Sequence, residues 1–517
     1  MASMKPTLRY SVLLKKITPK FVFWLVFMLL FIVWIIIQFS QLGRFKHLDG
    51  DYAQHSSALL EWRTDGRIPL VGMGSSPLLI NLSPLYYWLI YPFYLITNGS
   101  IFYNHLACFV YTWVIFLALG LVIYKRPAYR WSFLLLIALF CFNPLILYDR
   151  TYRIWNPSYV WQPIVLAWYC LLFASQSKHR VLFSIVGGMA CVASISFNLL
   201  MAPVVICLLI VSIFRLRRQV LPWLIGMAVA FLVCWSTVLI TQFEAIFQNQ
   251  IVRQNQTFDP LITRLHTLLT MASTDDRAYT NYDHVIIYAA ILALIIFCLK
   301  RNSNKKLLEE DWFQLLFILI ISTIITVAPK IIMWGWYANS LIVIIIILLI
   351  GLPSRLKYLI ASLIIGYWLA MFLSSLNWPY RVNALSVESC FKQVCQHVSS
   401  NQYYYVLYTD VVLDNAPAYF LSAAACPPAR LYDQASSGSF EVSAIDPSFP
   451  LLVFHDLDVM ENEWMRWSME DADPPFYAEI KPTFDKIYTH PVVSVDCEGD
   501  WGWTLYSNPL AKASQLL

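Results

Sequence analysis

The sequence predicts a polytopic α-helical membrane protein with about eleven spans, followed by a small C-terminal α/β domain. Three observations carry this. Hydrophobic residues make up 59% of the 517 and charged residues only 13%, with a mean hydropathy of +0.59, which excludes a soluble globule. The apolar residues fall in runs of about 20, the length that crosses roughly 30 Å of hydrocarbon. Lys and Arg collect in every second connection. The net charge of +5 is small for this length and gives no reason to expect a nucleic-acid partner.

Taken in order, the N-terminal arm carries Lys5, Arg9, Lys15, Lys16 and Lys20 and is expected inside. The first run, 21–39, is long enough to stay as a span rather than be cleaved as a signal peptide. A second span over 104–124 exits onto Lys125, Arg126 and Arg130. A third over 131–148 reaches a short polar turn, and a fourth over 159–174 ends at Lys178 and Arg180. The stretch 181–214 is too long for one span; Asn198 and Pro203 predict two short helices meeting at the far face, with an exit onto Arg215, Arg217 and Arg218. A seventh span covers 221–241. After the mixed-charge loop 242–283, an eighth over 284–299 exits onto Lys300, Arg301, Lys305 and Lys306. The ninth ends near Ala328, the tenth runs from near Tyr337 to Arg355 and Lys357, and the eleventh covers 358–376. This pattern puts the N-terminus inside and the C-terminal region outside.

Two units follow: residues 1–376 as the transmembrane module and 377–517 as an extracytoplasmic α/β domain. The second loses the membrane composition at Asn377 and shows strand-like runs at Tyr403–Tyr408, Leu451–Phe454 and Pro491–Val495. Its cysteines, Cys390, Cys395, Cys426 and Cys497, allow three disulfide pairings among which the sequence does not choose. The other cysteines lie in apolar spans, as small buried residues.

The first outer loop, 41–103, is the unusual one. Its central stretch of about fifty residues is wet at one end and apolar at the other, unlike an ordinary connector, and is expected to lie along the membrane surface. Asp49 and Asp51 open it directly after the first span, and an aromatic run (Tyr86, Tyr87, Trp88, Tyr91, Phe93, Tyr94) closes it. A carboxylate at the mouth of a span suits a general base acting on an acceptor hydroxyl; a solvated loop pair is the plainer reading of the spacing. His47 and His55 stand close enough in sequence to make a metal site with them, but a divalent metal is not predicted and no cofactor is expected. Arg63, Arg67, Arg150, Arg153 and Lys330 are the cations on the same side. Each is suited either to holding a phosphate or to snorkelling at a helix end.

Three segments resemble a known family. DGDYAQHSSALLEWRTDGRIPLVGMGSS followed by SPLYYWLIYPFYLI is similar to the acidic first loop, Gly-Pro-rich turn and "PLYYWL" interfacial helix of bacterial family 39-like glycosyltransferases that use polyprenyl-phosphate sugars. These belong to the GT-C superfamily, with protein mannosyltransferases and lipid A aminoarabinose transferases. RIWNPSYVWQP resembles the family's "WNP" turn, and the order of spans with an outside C-terminal domain fits the GT-C plan. The resemblance covers about the first 240 residues and is specific in the first loop.

The resemblance implies sugar transfer from a polyprenyl-phosphate donor, undecaprenyl phosphate in bacteria, to a glycan, lipid or protein acceptor. The reaction would take place at the periplasmic face of the inner membrane, with membrane lipid as the other partner. Asp51 matches the family's acidic position as catalytic base; Asp49 takes that role if the register slips by two. Arg150, Arg153 and Lys330 are implied as donor-phosphate ligands, and His55, Tyr86, Tyr87, Asn156 and Tyr337 as substrate-site candidates. This chain departs from relatives that carry a second acidic residue in the loop, having Gly50, Tyr52 and His55 instead, so the second group's role stays open. Two readings of other classes compete. A lipid-linked sugar transporter or flippase would put charged residues inside the spans, which are nearly free of them. A non-catalytic partner in envelope-glycan assembly would tolerate Asp51→Asn.

Overall fold

A computed structural model describes residues 19–40, 50–75, 80–100, 102–143, 156–217, 220–247, 311–327, 339–351, 356–375, 389 and 392–396, with five strands between 404 and 506. The described part of the first 376 residues is a helix bundle: α1 (Pro19–Ser40), α2 (Gly50–Asp65), α3 (Leu85–Ile96), α4 (Phe102–Ile123), α5 (Pro127–Phe142), α6 (Trp161–Ala174), α7 (Arg180–Phe197), α8 (Ala202–Leu216), α9 (Val220–Phe247), α10 (Asp311–Val327), α11 (Asn339–Gly351) and α12 (Leu356–Ser375). Among the described residues four helices are long and apolar enough to cross a membrane: Pro19–Phe39, Phe102–Ile123, Arg180–Phe197 and Val220–Thr241. Shorter apolar helices pack with them. The protein is therefore a multi-pass membrane protein. The expected eighth span, 284–299, lies outside the described residues.

Burial explains the arrangement. The α6 side chains are buried from Trp161 to Phe173 on nearly every face, as expected of a helix apolar all round. It packs against α4, α7, α8 and α11. Helices α1 and α9 instead keep an exposed apolar side, Leu25, Met28, Leu29, Ile32 and Ile36 on the first and Leu224, Ile225, Leu232 and Ile240 on the second. Such surface suits lipid tails rather than water. Aromatic rings fill the space between α1, α4 and α6, where Trp113 meets Phe31 at 4.7 Å and Trp34 at 5.4 Å, edge to face.

The stretch 181–214 folds as α7 and α8, joined through Asn198 and a 3₁₀ turn, Leu199–Met201. Pro203 stands in the first turn of α8, where its missing N–H leaves no bond unmade. Helices α7 and α9 run against each other at backbone distance. A side-chain carbon on Gly188 would collide with the Trp223 carbonyl, and one on Gly226 with the Ile185 carbonyl. Small residues permit this approach, which packing within a membrane rewards.

In the C-terminal region the described strands are β3 (Tyr404–Tyr408), β4 (Arg430–Tyr432), β5 (Leu451–Asp456), β6 (Pro491–Asp496) and β7 (Trp501–Tyr506). They form one sheet in the order β4-β3-β5-β7-β6, parallel across β4, β3 and β5 and antiparallel across β5, β7 and β6. The helical segment 392–396 puts Val394, fully buried, into the hydrophobic cluster shared with the bundle. Cys395 is disulfide-bonded. Cys390, Cys426 and Cys497 lie outside the described residues.

Candidate functional site

The connection between the first two spans contains a helix. Helix α2 spans GDYAQHSSALLEWRTD and places Asp51 in its first turn, the end at which the helix dipole favours a carboxylate. Gly66, with φ of 70°, ends it in the left-handed region that glycine adopts freely. Gln54, Glu61, Arg63, Thr64 and Asp65 are exposed, whereas His55, Ser56 and Leu59 are at most 1% exposed and face the bundle.

A short β-hairpin returns the chain from α2 to α3. Its strands, β1 (Gly74–Ser75) and β2 (Ile80–Asn81), pair antiparallel, and Gly72 N–H donates to the Leu82 carbonyl at 2.7 Å. A side chain on Gly72 would strike the Ser83 carbonyl, so the close approach needs glycine. Ser83 Oγ accepts from Leu85 N–H at 3.2 Å at the start of α3. Trp62 of α2 stacks on Tyr91 of α3 with ring centroids 3.6 Å apart and planes 7° from parallel. Trp88 donates its indole N–H to the Pro69 carbonyl.

Around His55 and Ser56 of α2 lies a buried polar cluster. His55 Nδ1 and the Tyr87 hydroxyl share a hydrogen bond of 3.1 Å, and the His55 ring meets the Tyr86 ring edge to face at 4.7 Å. Ser56 Oγ and the Tyr103 hydroxyl are 2.9 Å apart. Asn104 of α4 donates its side-chain N–H to the Tyr86 hydroxyl at 2.6 Å, and Tyr159 donates its O–H to Asn104 Oδ1 at 2.7 Å. Tyr159 closes a 3₁₀ turn, Asn156–Tyr159, that leads into α6. Asn156 donates to the Phe197 carbonyl at 2.8 Å, tying that turn to the end of α7. Burial is the main force holding the Tyr86 phenol well above its ordinary value, with the neighbouring Tyr103 adding to it and the Asn104 bond opposing. Burial likewise raises Tyr159. Both stay neutral and act here as hydrogen-bonding struts.

The candidates read from sequence thus separate. His55, Tyr86, Tyr87 and Asn156 are buried, at 1%, 3%, 4% and 7% exposure, and they join α2, α3 and the 3₁₀ turn to the bundle. Asp51 lies one helical turn ahead of His55. Arg63 and Arg67 are exposed on the same loop, with Arg67 Nε 3.8 Å from the Asp65 carboxylate. Asp49, Arg150, Arg153, Lys330 and Tyr337 lie outside the described residues. Among the described residues no three His, Cys, Asp or Glu side chains come together to hold a metal ion. Sequence reading missed Ser56, Tyr103, Asn104 and Tyr159. The available signal was an asparagine and two tyrosines at the ends of otherwise apolar runs, where a polar group needs a partner.

No protein-family model matches the chain, and no curated protein sequence does. The fold does have likenesses. The crystal structure of ArnT from Cupriavidus metallidurans bound to undecaprenyl phosphate superposes with a TM-score of 0.54 at 12% identity, covering 93% of this chain and 98% of that one. The Archaeoglobus fulgidus oligosaccharyltransferase in complex with Zn and sulfate gives a TM-score of 0.43 at 11% identity, over 93% of this chain and 73% of that one. The chain shares the fold of that ArnT structure over nearly its whole length.

Proposed function

We propose that this protein is an integral-membrane glycosyltransferase that moves a sugar from a polyprenyl-phosphate donor to a glycan, lipid or protein acceptor at the outer face of a bacterial inner membrane. The observation that carries the reading is the position of Asp51. It lies in the first turn of a helix stacked onto the aromatic helix α3, in a chain whose fold is matched over nearly its whole length by a protein crystallised with undecaprenyl phosphate.

In this reading Asp51 accepts the proton of an acceptor hydroxyl. The oxygen attacks the anomeric carbon from the side opposite the phosphate, the bond from that carbon to the phosphate oxygen breaks, and the lipid phosphate leaves with the electron pair. The anomeric configuration inverts. Arg150, Arg153 and Lys330 are assigned to the leaving phosphate, whose negative charge grows in the transition state. The exposed apolar flanks of the bundle and α3 suit the prenyl tail. Residues 377–517 are assigned to the acceptor side.

The test is reconstitution of the full chain in liposomes with polyprenyl-phosphate sugars of several kinds. A transferase releases lipid phosphate and glycosylated acceptor in equal amounts. Movement of intact donor across the bilayer, with no bond broken, would replace this reading with a transporter.

A further inference from the structure

We infer that Asn104, together with Tyr86, Tyr159 and the His55–Tyr87 pair, forms a positioning network that fixes the Asp51 turn of α2; this deepens the reading of Asp51 as the base and rests on it. None of these residues is assigned a bond to substrate. Their work is to hold the helix that carries the base.

The placement of the bonds is the argument. Every one crosses between elements: α2 to α3 through His55 and Tyr87, α2 to α4 through Ser56 and Tyr103, α4 to α3 through Asn104 and Tyr86, and the 3₁₀ turn to α4 through Tyr159 and Asn104. The His55 ring against Tyr86 closes the circuit. Helix α2 is thus held directly by α3 and α4, and the 3₁₀ turn braces α4 behind them. Its buried face carries the polar His55 and Ser56 beside Leu59, where leucines alone would give simple adhesion. Burying such groups is costly unless they are bonded, and bonded groups admit one geometry where apolar contacts admit several. Asp51 precedes His55 by four residues, about 6 Å of helical rise, so a shift of the His55 turn shifts Asp51 with it.

Asn104 is the hinge of the network because it both donates and accepts. Its N–H reaches Tyr86 and its oxygen receives Tyr159. The Tyr86 and Tyr159 phenols stay neutral, so they keep their roles as acceptor and donor toward Asn104. The assigned phosphate ligands lie on other segments, so loosening α2 disturbs the base and leaves donor binding in place.

The experiment compares the native full chain in detergent with Asn104→Leu, Tyr159→Phe, and the combined Tyr86→Phe/Asn104→Leu/Tyr159→Phe. Amide hydrogen exchange is followed in peptides over 50–56, with 127–142 and 161–174 as internal references. The network predicts roughly tenfold faster exchange over 50–56 alone in Asn104→Leu, and a smaller increase in Tyr159→Phe. The combined variant removes the polar groups together with their partners, so its melting temperature recovers while 50–56 stays fast. In sugar transfer, kcat falls by about 100-fold with the donor KM unchanged. Native exchange over 50–56, or equal acceleration across all three segments, overturns the inference. Asp51→Asn in parallel keeps the two claims apart. If Asp51→Asn turns over normally while 50–56 loosens in Asn104→Leu, the base assignment fails and the positioning of the turn stands. If Asp51→Asn is inactive and Asn104→Leu is native in both readouts, only the positioning fails.

Discussion

Tyr159 donates its phenolic O–H to the side-chain oxygen of Asn104 at 2.7 Å, joining residues 55 positions apart in the sequence. Both are buried, and the same hydroxyl lies 3.0 Å from the Asn104 carbonyl. Tyr159→Phe therefore removes a hydrogen bond from a buried acceptor and is expected to destabilise the bundle by about 0.5–1.5 kcal/mol. Thermal melting of the purified protein in detergent reads this directly.

Raised phenol pKa values make a second prediction. In the unfolded chain Tyr86 and Tyr159 ionise near the ordinary value of about 10, whereas burial holds both well above it in the folded protein. Above that pH the unfolded state binds fewer protons than the folded state, so stability falls as pH rises. Below about pH 9 these groups add no slope. Melting curves from pH 7 to 11 should show the loss at the alkaline end, and it should shrink in Tyr86→Phe/Tyr159→Phe relative to that variant's own neutral value.

The α7–α9 crossing gives a third. Gly188→Ala drives a methyl group into the Trp223 backbone and should cost about 1–3 kcal/mol as the helices part. Gly366 in α12 has nothing within 4 Å of where a side chain would start, so Gly366→Ala should be neutral or stabilising by up to about 1 kcal/mol. Melting temperatures moving in the same direction for both would count against the packing described.

A fourth concerns the contact between α8 and α10. Arg215 donates to Asp311 Oδ1 and to Gln314 Oε1, and its side chain is only 11% exposed. Asp311→Ala leaves that guanidinium short of its charged partner, and a loss of about 1–3 kcal/mol is expected. Arg215→Ala/Asp311→Ala should be less destabilised than the two single losses added together.

The bundle was legible because its signals are local. Run length gives α1, α4 and α9, and Asn198 with Pro203 marks the break between α7 and α8. Three C-terminal strands, β3, β5 and β6, fall on the runs of β-branched and aromatic residues read as strands, whereas β4 and β7 were missed. Helix α2 was not legible. Its few apolar residues make no continuous stripe, and its buried face is completed by His55 and Ser56. Their partners, Tyr87 and Tyr103, lie 32 and 47 residues further on. A pattern of polar and apolar residues cannot register a pairing at that distance. Tyr86 and Tyr87 read as candidates for substrate, and the bonds of their hydroxyls to Asn104 and His55 were not legible for the same reason.

Sugar transfer by Asp51→Asn, measured beside Asp49→Asn and the native chain with binding of undecaprenyl phosphate followed in each, tests the central claim most directly. The account predicts that Asp51→Asn loses about 10²–10⁴-fold in turnover, keeps its affinity for undecaprenyl phosphate, and leaves Asp49→Asn close to native. Native transfer rates in both variants would contradict it.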